Sequence, residues 1–395
     1  MTTTRRKFIQ QSIAAGAAVS LGGGISARAL ARAAQGQAAK PLHILILGGT
    51  GFLGPATVDA ALARGHTLTL FNRGRTEKRT GKDFKGEERV TRLFGNRDPL
   101  KHSVDEDPTS PKGLTQLEGK SFDAVIDNSG YYPRMVRASA TLLAPSVKHY
   151  VYISSISAYA DTLTPNNDES APVARLDDPT VETMGEEMKN YGGLKALCEE
   201  AAEAAMPGRV ANVRPGYIVG PGDPTDRFTH WPVRADMGGT MLAPGSPDDP
   251  LRFIDVRDLG AWLVRIVEDT TTGLFNACGP ETRARWGDVL QACVDASSNK
   301  PELVWVDAKF LAEHGAPPGS LPIWLPPEGE FAGFHTWKND RARKAGLSFR
   351  PTADICRDTL AWFKSLPPER QKRLHDRIAA SPEKAVLEAW KAAKG

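Results

Sequence analysis

The amino-acid sequence predicts an α/β protein built on a doubly wound parallel sheet, with a smaller C-terminal capping region. Short apolar runs rich in β-formers alternate with helical stretches through the first half of the chain, and a glycine-rich turn follows the first run. After Gly220 the composition changes to prolines, tryptophans and short runs. Strands that alternate with helices favour right-handed crossovers, and therefore parallel strands.

The predicted elements alternate from residue 42 to residue 213. The first strand, 42–47, precedes a helix over 55–64, which Gly65 ends as a C-cap glycine does. The later strands are expected at 67–71, 90–94, 122–127, 149–154 and 210–213, and further helices at 133–143 and 194–205. The polar, proline-bearing segments 95–119 and 161–185 are predicted to be long insertions.

Composition is typical of a soluble globular protein of one or two domains, with 395 residues, 41% of them hydrophobic and 25% charged. A net charge of +3 is too small and dispersed to indicate a nucleic-acid partner. Cys198, Cys278, Cys293 and Cys356 lack metal-ligand spacing, so no metal site is predicted. The four cysteines allow three full disulfide pairings that the sequence cannot rank, and buried free thiols are the simpler interpretation.

Residues 1–35 are interpreted as a twin-arginine signal peptide and linker. Arg5 and Arg6 precede an apolar, glycine-studded run that is shorter and more broken than a spanning helix requires. Small residues follow it, which indicates a signal cleaved between residues 29 and 39; a basic tail and an uncleaved anchor are the alternatives. The expected partner is the twin-arginine translocase. The mature protein would then be periplasmic or extracellular, without a stable membrane span.

The glycine-rich turn lies between the first strand and the first helix. Gly48, Gly51 and Gly54 have the spacing G-x-x-G-x-x-G. The turn also contributes Thr50, Phe52 and Leu53 to the predicted site. Glycines permit a tight turn and close backbone approach to a pyrophosphate, whose charge the helix N-terminus favours. Such a turn alone can be a simple connector, but in this position it predicts a Rossmann-like NAD(P)-binding domain over residues 40–225.

The end of the second strand bears on the choice of dinucleotide. An acidic residue there bonds the ribose 2′-hydroxyl of NAD, whereas arginine accommodates the 2′-phosphate of NADP. This chain has Asn72, Arg73 and Arg75 and no acid there, which favours NADP, although Asn72 can also bond a hydroxyl. A solvated basic loop is the alternative, so the cofactor is left as NAD or NADP. Asn128 and Pro215, which follow later strands, complete the predicted cofactor contacts.

Tyr191 and Lys195 are four residues apart and would share one face of a helix. A nearby ammonium stabilises tyrosinate, so the pair predicts a tyrosine of lowered pKa that acts as general acid or base. So short a motif often occurs by chance. Its position adds weight, because the preceding strand ends at Ser154 and Ser155, where the carboxyl end of a parallel sheet faces the cofactor.

Five ordered motifs resemble the extended short-chain dehydrogenases/reductases, the NAD-dependent epimerase/dehydratase group. They are the glycine turn, the serine strand, the Tyr191–Lys195 pair, Arg-Pro-Gly-Tyr-Ile-Val-Gly-Pro at 214–221 and Phe-Ile-Asp-Val-Arg-Asp-Leu at 253–259. The resemblance covers roughly residues 42 to 290. It implies that Tyr191 is the catalytic acid/base and that Lys195 holds the ribose hydroxyls and tunes Tyr191. Residues 158–160 occupy the place of the family's Val-Tyr-Gly-like triplet, which implies that Ser155 rather than Ser154 bonds the reacting oxygen.

Some features depart from the family pattern. The acid after the second strand is missing, and the segment 161–185 is long and is interpreted as a lid or an addition specific to this chain. The run at 70–74 resembles atypical members related to chloroplast stem-loop RNA-binding proteins. In those relatives the fold can lose its chemistry.

The resemblance implies hydride transfer between a substrate carbinol and the nicotinamide, with Tyr191 moving the proton. An exported enzyme has no free pool of nicotinamide cofactor, so a tightly bound, recycled NAD(P) is expected. That favours an epimerase/dehydratase-type reaction on a sugar or glycoside. The alternatives are a net oxidoreductase on a small carbonyl or hydroxyl substrate, and a catalytically idle RNA- or ligand-binding relative.

Residues 226–366 are expected to form the smaller substrate-binding region, with strands and helices that return to the core. The proposed substrate contacts are Asp226, Arg227, Trp231 and Arg252, followed by His230, Arg283 and Trp286. Tryptophan can stack on a sugar and arginine can bind its oxygens, although core packing and a solvated face are the competing interpretations. The tail 367–395 is predicted to be helical, with a helix start at 381–383. A homodimer is implied by the resemblance alone.

Overall fold

The computed structural model describes residues 36, 38–80, 83–104 and 107–394. The predicted signal peptide lies outside these residues. Strands are numbered β1 (His43–Leu47), β2 (Thr67–Asn72), β3 (Val90–Phe94), β4 (Ala124–Asp127), β5 (His149–Ile153), β6 (Val210–Pro215), β7 (Tyr217–Val219), β8 (Thr240–Pro244), β9 (Pro250–Asp255), β10 (Gly273–Ala277), β11 (Gly279–Arg285) and β12 (Glu302–Val306).

Helices are numbered in the same way. They are α1 (Leu53–Ala63), α2 (Arg75–Thr80), α3 (Pro133–Leu143), α4 (Tyr191–Ala205), α5 (His230–Asp236), α6 (Val256–Glu268), α7 (Trp286–Ala296), α8 (Ala308–Glu313), α9 (Asp340–Lys344), α10 (Thr352–Lys364), α11 (Pro368–Ala379) and α12 (Glu383–Lys394). Short 3₁₀ turns occur at Thr115–Leu117, Ile156–Ala158, Glu186–Met188 and Gly329–Phe331. None of the helices in the described part of the chain has the length and apolarity needed to span a bilayer.

The described residues form a seven-stranded parallel sheet in the order β10-β6-β5-β4-β1-β2-β3. The order reverses at β1, which pairs with β2 on one side and with β4 on the other. In open α/β sheets, the crevice for a ligand lies outside the carboxyl ends of the strands at such a reversal. The predicted Rossmann-like α/β fold is thereby confirmed.

Both faces of the sheet are covered by helices. Along β1, Ile44 and Ile46 pack into one apolar cluster, with α1 and α6, while Leu45 and Leu47 pack into another, with α3 and α4. All four side chains are fully buried, which explains why this strand is a continuous apolar run rather than an alternating one.

The C-terminal region adds two small sheets and a second core. Strands β11, β9 and β7 form one sheet, and β12 and β8 pair in parallel. Trp231, Trp286 and Trp324 are buried in a cluster contributed mainly by α5, α7 and the small strands. Strand β10 leaves this region and becomes the outer strand beside β6, so the main sheet includes a strand from beyond residue 225.

Cys293 on α7 and Cys356 on α10 bring their Sγ atoms within 3.5 Å of each other in the second core. All four cysteines are buried free thiols in the structure. Among the disulfide pairings that the sequence left open, the Cys293–Cys356 pair is the one whose two sulfur atoms are in contact.

Candidate functional site

A cleft of about 710 Å³ opens at the carboxyl ends of β1, β2, β4, β5 and β6. The residues predicted to contact the cofactor or to act in catalysis all line it. They are Gly48, Thr50, Gly51, Phe52, Leu53, Gly54, Asn72, Arg73, Arg75, Asn128, Ser155, Tyr191, Lys195 and Pro215. The fold therefore brings into one cavity residues that are separated by more than 160 positions in the chain.

The glycine turn forms one wall of the cleft. Gly48 has a φ of +86°, which other residues rarely adopt, and a Cβ on Gly54 would lie 2.3 Å from the carbonyl carbon of Gly49. A Cβ on Gly51 would meet no protein atom within 4 Å. Helix α1 then starts without a side-chain cap at Phe52. The turn thus leaves open space in front of uncapped backbone N–H groups, an arrangement that fits a pyrophosphate.

The end of β2 forms the neighbouring wall. Asn72 is half-buried, while Arg73 and Arg75 are exposed. Glu77, in the first turn of α2, also lines the cleft, and its Oε1 is buried without a hydrogen-bond partner in the described structure. None of the residues that directly follow β2 is acidic, which is why no acid was predicted at this wall. An acidic side chain is therefore present at this wall, carried by the next helix.

Asn128 follows β4 and has a buried side-chain amide. Its Oδ1 and Nδ2 have no hydrogen-bond partner within the described residues, although Asn128 lines the cleft. Buried amides normally find a donor and an acceptor, so this one fits a polar ligand bound in the cleft.

Arg97 and Asp127 form a buried ion pair at the base of the cleft, which the sequence analysis missed. Nη1 and Nη2 of Arg97 both bond the Asp127 carboxylate, the second at 2.8 Å, and Tyr150 donates to the same carboxylate at 2.7 Å. Burial raises and the Arg97 guanidinium lowers the pKa of Asp127, with a lowered pKa as the net result. The signal in the sequence was a charged residue at the end of the apolar strand β4.

Ser155 and Tyr191 meet near the end of β5. The Ser155 Oγ accepts a hydrogen bond from the Ser157 N–H at 3.1 Å and donates to the Ser157 hydroxyl at 3.1 Å, which fixes its position. Burial raises the pKa of Tyr191, and the interaction with the Ser155 hydroxyl opposes that rise. Tyr191 begins α4, so the two side chains reach the cleft from a strand end and a helix start.

Lys195 is buried behind these two residues. Its Nζ donates to the carbonyl oxygens of Gly130 at 2.8 Å and Ile153 at 2.6 Å, and burial lowers its pKa to about 8. The predicted lowering of the Tyr191 pKa by Lys195 is wrong for this structure. Burial dominates and raises the Tyr191 pKa, and the opposing groups are Ser155 and Arg227. The ammonium is instead held by two backbone carbonyls.

Of the predicted substrate contacts, Arg227 lines the cleft. Its guanidinium carbon lies 4.9 Å from the centre of the Tyr217 ring, and its Nε donates to the Thr225 hydroxyl at 3.1 Å. The other residues of this wall were not predicted from the sequence, because they come from several loops, from the first turn of α3 and from β7. They include Tyr131, Tyr132, Met135, Met184, Tyr217, Asp223 and Phe334. Met184 shows that the long segment 161–185 reaches the cleft.

The structure places Asp226, Trp231 and Arg252 outside the cleft lining, which corrects the expectation that they contact the substrate. Asp226 forms an ion pair with Arg370 at 2.5 Å. Trp231 is 2% exposed and packs edge-on against Trp286. Arg252 donates to a backbone carbonyl, that of Pro280, at 2.7 Å. The secondary candidates outside the lining are His230, Arg283 and Trp286. Structural contacts account for these side chains. The tryptophans pack in the core, as the competing interpretation held, whereas Arg252 is 8% exposed and is not part of a solvated face.

No cluster of three or more His, Cys, Asp or Glu side chains in the described residues is arranged to hold a metal ion. The cleft lining brings together the Tyr191 phenol, the Ser155 hydroxyl and the Lys195 ammonium beside the glycine turn.

Comparison with known proteins agrees with this geometry. Residues 44–278 match the model of the NAD dependent epimerase/dehydratase family. Epimerase family protein SDR39U1 of Bos taurus is 25% identical over 245 residues, which is 60% of this chain and 75% of that protein. The chloroplast stem-loop binding protein of 41 kDa b from Arabidopsis thaliana is 26% identical over 282 residues, which is 67% of this chain and 66% of that protein.

Two solved structures illustrate the likeness in fold. Human SDR39U1 (isoform 2) with NADPH has a TM-score of 0.52 at 18% identity, over 82% of this chain and 100% of that one. The Bordetella bronchiseptica enzyme WbmG with NAD and UDP has a TM-score of 0.59 at 16% identity, over 82% of this chain and 95% of that one. Because the family match covers more than half of the sequence, the chain belongs to the NAD-dependent epimerase/dehydratase family.

Proposed function

We propose that the protein is an NAD(P)-dependent enzyme of the epimerase/dehydratase type that acts on a sugar or glycoside. The observation that carries this proposal is the presence of Ser155, Tyr191 and Lys195 in the same cleft as the glycine turn. A protein that had lost its chemistry would have no need to keep these three groups together. The alternative of an idle RNA-binding relative is therefore disfavoured.

The cleft fits a dinucleotide. The backbone N–H groups after Gly51 would hold the pyrophosphate, and the unpartnered Asn128 amide would bond a polar group of the cofactor. Arg73 favours the 2′-phosphate of NADP, whereas Glu77 favours the 2′-hydroxyl of NAD. When bound, the nicotinamide would take a hydride from a carbinol carbon and return it.

Tyr191 and Ser155 would act on the substrate oxygen. The raised pKa of Tyr191 keeps its phenol protonated near neutral pH, so it can donate a proton to a carbonyl oxygen. Removal of a proton from a carbinol needs a positive charge near the phenolate, and Arg227, whose charge opposes the rise in the Tyr191 pKa, is the cation that can provide it. Ser155 would hold the same oxygen by a hydrogen bond, since its hydroxyl is already fixed by Ser157.

We further propose that the cofactor is bound tightly and recycled, and that the protein is exported. An epimerase or dehydratase returns the hydride to the same molecule, so it needs no second substrate to restore the cofactor. A net oxidoreductase would need an external electron acceptor outside the cytoplasm. Replacing Arg5 and Arg6 by lysine is expected to leave the protein in the cytoplasm, and unchanged localisation would contradict the export proposal.

The decisive experiment uses the purified mature protein without added cofactor. Denaturation should release a dinucleotide, which absorbance and mass spectrometry identify as NAD or NADP. Incubation with a panel of sugars and glycosides should then yield an isomer or a dehydrated product by NMR. The Tyr191→Phe variant should retain the dinucleotide and lose turnover. Protein that contains no dinucleotide and binds none on addition would refute the proposal. Turnover that requires an external electron acceptor would establish the net oxidoreductase instead.

A further inference from the structure

Asp223 is a buried carboxyl group in the cleft to which the proposed reaction assigns no role. It is 1% exposed and lines the cleft in the loop after β7. Its Oδ1 accepts hydrogen bonds from the Thr225 N–H at 2.8 Å and from the Thr225 hydroxyl at 2.7 Å. Its Oδ2 is buried and has no hydrogen-bond partner within the described residues. One oxygen therefore holds the loop, and the other is left for a ligand.

An unpartnered carboxylate oxygen in a buried position is unfavourable. Burial raises the pKa of Asp223, and the hydrogen bonds from Thr225 and the charge of Arg227 oppose that rise. A donor supplied by a bound molecule would complete the hydrogen bonding of Oδ2. A hydroxyl group is such a donor, and it accepts a hydrogen bond at the same time.

Arg227 supplies the complementary group. Arg227 lines the cleft with Asp223 and Tyr191, and its charge opposes the rise that burial causes in the pKa of each, so the guanidinium is within electrostatic reach of both groups. Around it the lining is aromatic, with Tyr131 next to Tyr191 and with Tyr217 against Phe334. This wall therefore offers one carboxyl group, one guanidinium and uncharged ring surfaces.

We propose that Asp223 and Arg227 are a specificity pair for an uncharged, polyhydroxylated substrate. Asp223 Oδ2 accepts a hydrogen bond from one hydroxyl, while Arg227 donates to another oxygen of the same molecule. A ligand carboxylate or diphosphate bound at this pair would meet the negative charge of Asp223, which offsets the attraction of Arg227. The preferred substrate is accordingly a neutral sugar or glycoside rather than a uronic acid or a nucleotide-diphosphate sugar. This inference rests on the proposed function and narrows its substrate class.

The test measures binding to the dinucleotide-loaded protein by calorimetry and by saturation-transfer NMR. The probes are the methyl glycosides of glucose, galactose and mannose, their uronic acids, and UDP-glucose. At least one methyl glycoside should bind about tenfold or more tightly than its uronic acid and than UDP-glucose. Asp223→Asn keeps the oxygen that bonds Thr225 and replaces the free oxygen by an amide. It should weaken binding of the neutral probe by about 10- to 100-fold while the melting temperature is retained.

Asp177→Asn is the matched control, because Asp177 is an exposed carboxylate that is absent from the cleft lining. It should bind the neutral probe as the unchanged protein does. Three outcomes would each overturn the inference. They are tighter binding of the charged probes than of the neutral ones, no binding of any probe, and an Asp223→Asn variant that binds the neutral probe with unchanged affinity. The proposed function fails separately, through absence of the dinucleotide or through full turnover of Tyr191→Phe.

Discussion

Replacement of Lys195 by methionine measures how much the buried ammonium lowers the free energy of unfolding. Lys195 is 3% exposed, and burial lowers its pKa from the ordinary 10.5 to about 8. Between these two pH values the unfolded chain binds more protons at this site than the folded protein does. Stability therefore rises with pH across this window. The cost is fully present below about pH 8 and disappears above pH 10.5.

The magnitude follows from the pKa difference. Each unit of difference in pKa corresponds to 1.36 kcal/mol, so burial of the charged side chain lowers the free energy of unfolding by about 3 kcal/mol at neutral pH. The methionine variant carries no such group. The stability of the unchanged protein relative to Lys195→Met should therefore increase by roughly 2 to 3 kcal/mol between pH 7 and pH 10.

Urea unfolding of the cofactor-free proteins, followed by tryptophan fluorescence at the two pH values, gives the required comparison. Lys148→Met, which replaces an exposed lysine in the same way, is the control for the substitution itself. Other consequences of losing the Lys195 side chain affect both pH values alike. A stability difference that is constant with pH, or that shrinks as pH rises, would refute the reasoning.

Two further predictions concern the glycine turn and the cysteines. Gly54→Ala should lower both the melting temperature and the dinucleotide affinity, because its Cβ would lie 2.3 Å from a backbone atom. Gly51→Ala should lower the dinucleotide affinity alone, because its Cβ would meet no protein atom within 4 Å. Equal melting temperatures of the two variants, measured by calorimetry, would contradict this prediction. During refolding from urea with glutathione disulfide as oxidant, Cys293 and Cys356 should join by thiol–disulfide exchange, releasing two glutathione thiols, because the fold brings their Sγ atoms within 3.5 Å of each other. Non-reducing peptide mapping checks the pairing, and a cross-link that involves Cys198 would contradict it.

The main sheet was largely predictable because its strands carry local signals. The strand at 90–94 and the helix at 133–143 have the predicted bounds, and α4 starts at Tyr191, as the Tyr191–Lys195 pair required, rather than at residue 194. Strands that return to the core were expected within residues 226–366, but the position of β10 was not predicted. This strand follows a change in composition, and only its pairing with β6, through Asn276 and Arg214, shows that it belongs to the main sheet.

The site residues also divide into those that a local sequence motif predicts and those that only the folded structure identifies. Residues found by motif, such as Gly54 and Tyr191, line the cleft because each motif is local to one strand end or helix start. Asp223 was missed because no spacing distinguishes it, and only its burial and its free oxygen single it out. Asp226 was misplaced because its partner, Arg370, lies 144 residues further along the chain. A charge that looks available for a substrate can be neutralised by a distant segment.

The same distant partnership supports the substrate wall from outside the cleft. Asp226, with a left-handed φ of +57°, lies between Asp223 and Arg227 and is bound by Arg370 and Arg377 of α11. The next helix contacts strand β8, where Glu383 accepts a hydrogen bond from the Leu242 N–H at 2.9 Å. The position of the proposed specificity pair therefore depends on helices that lie outside the cleft lining. A substitution in α11 can alter substrate selectivity without touching the substrate.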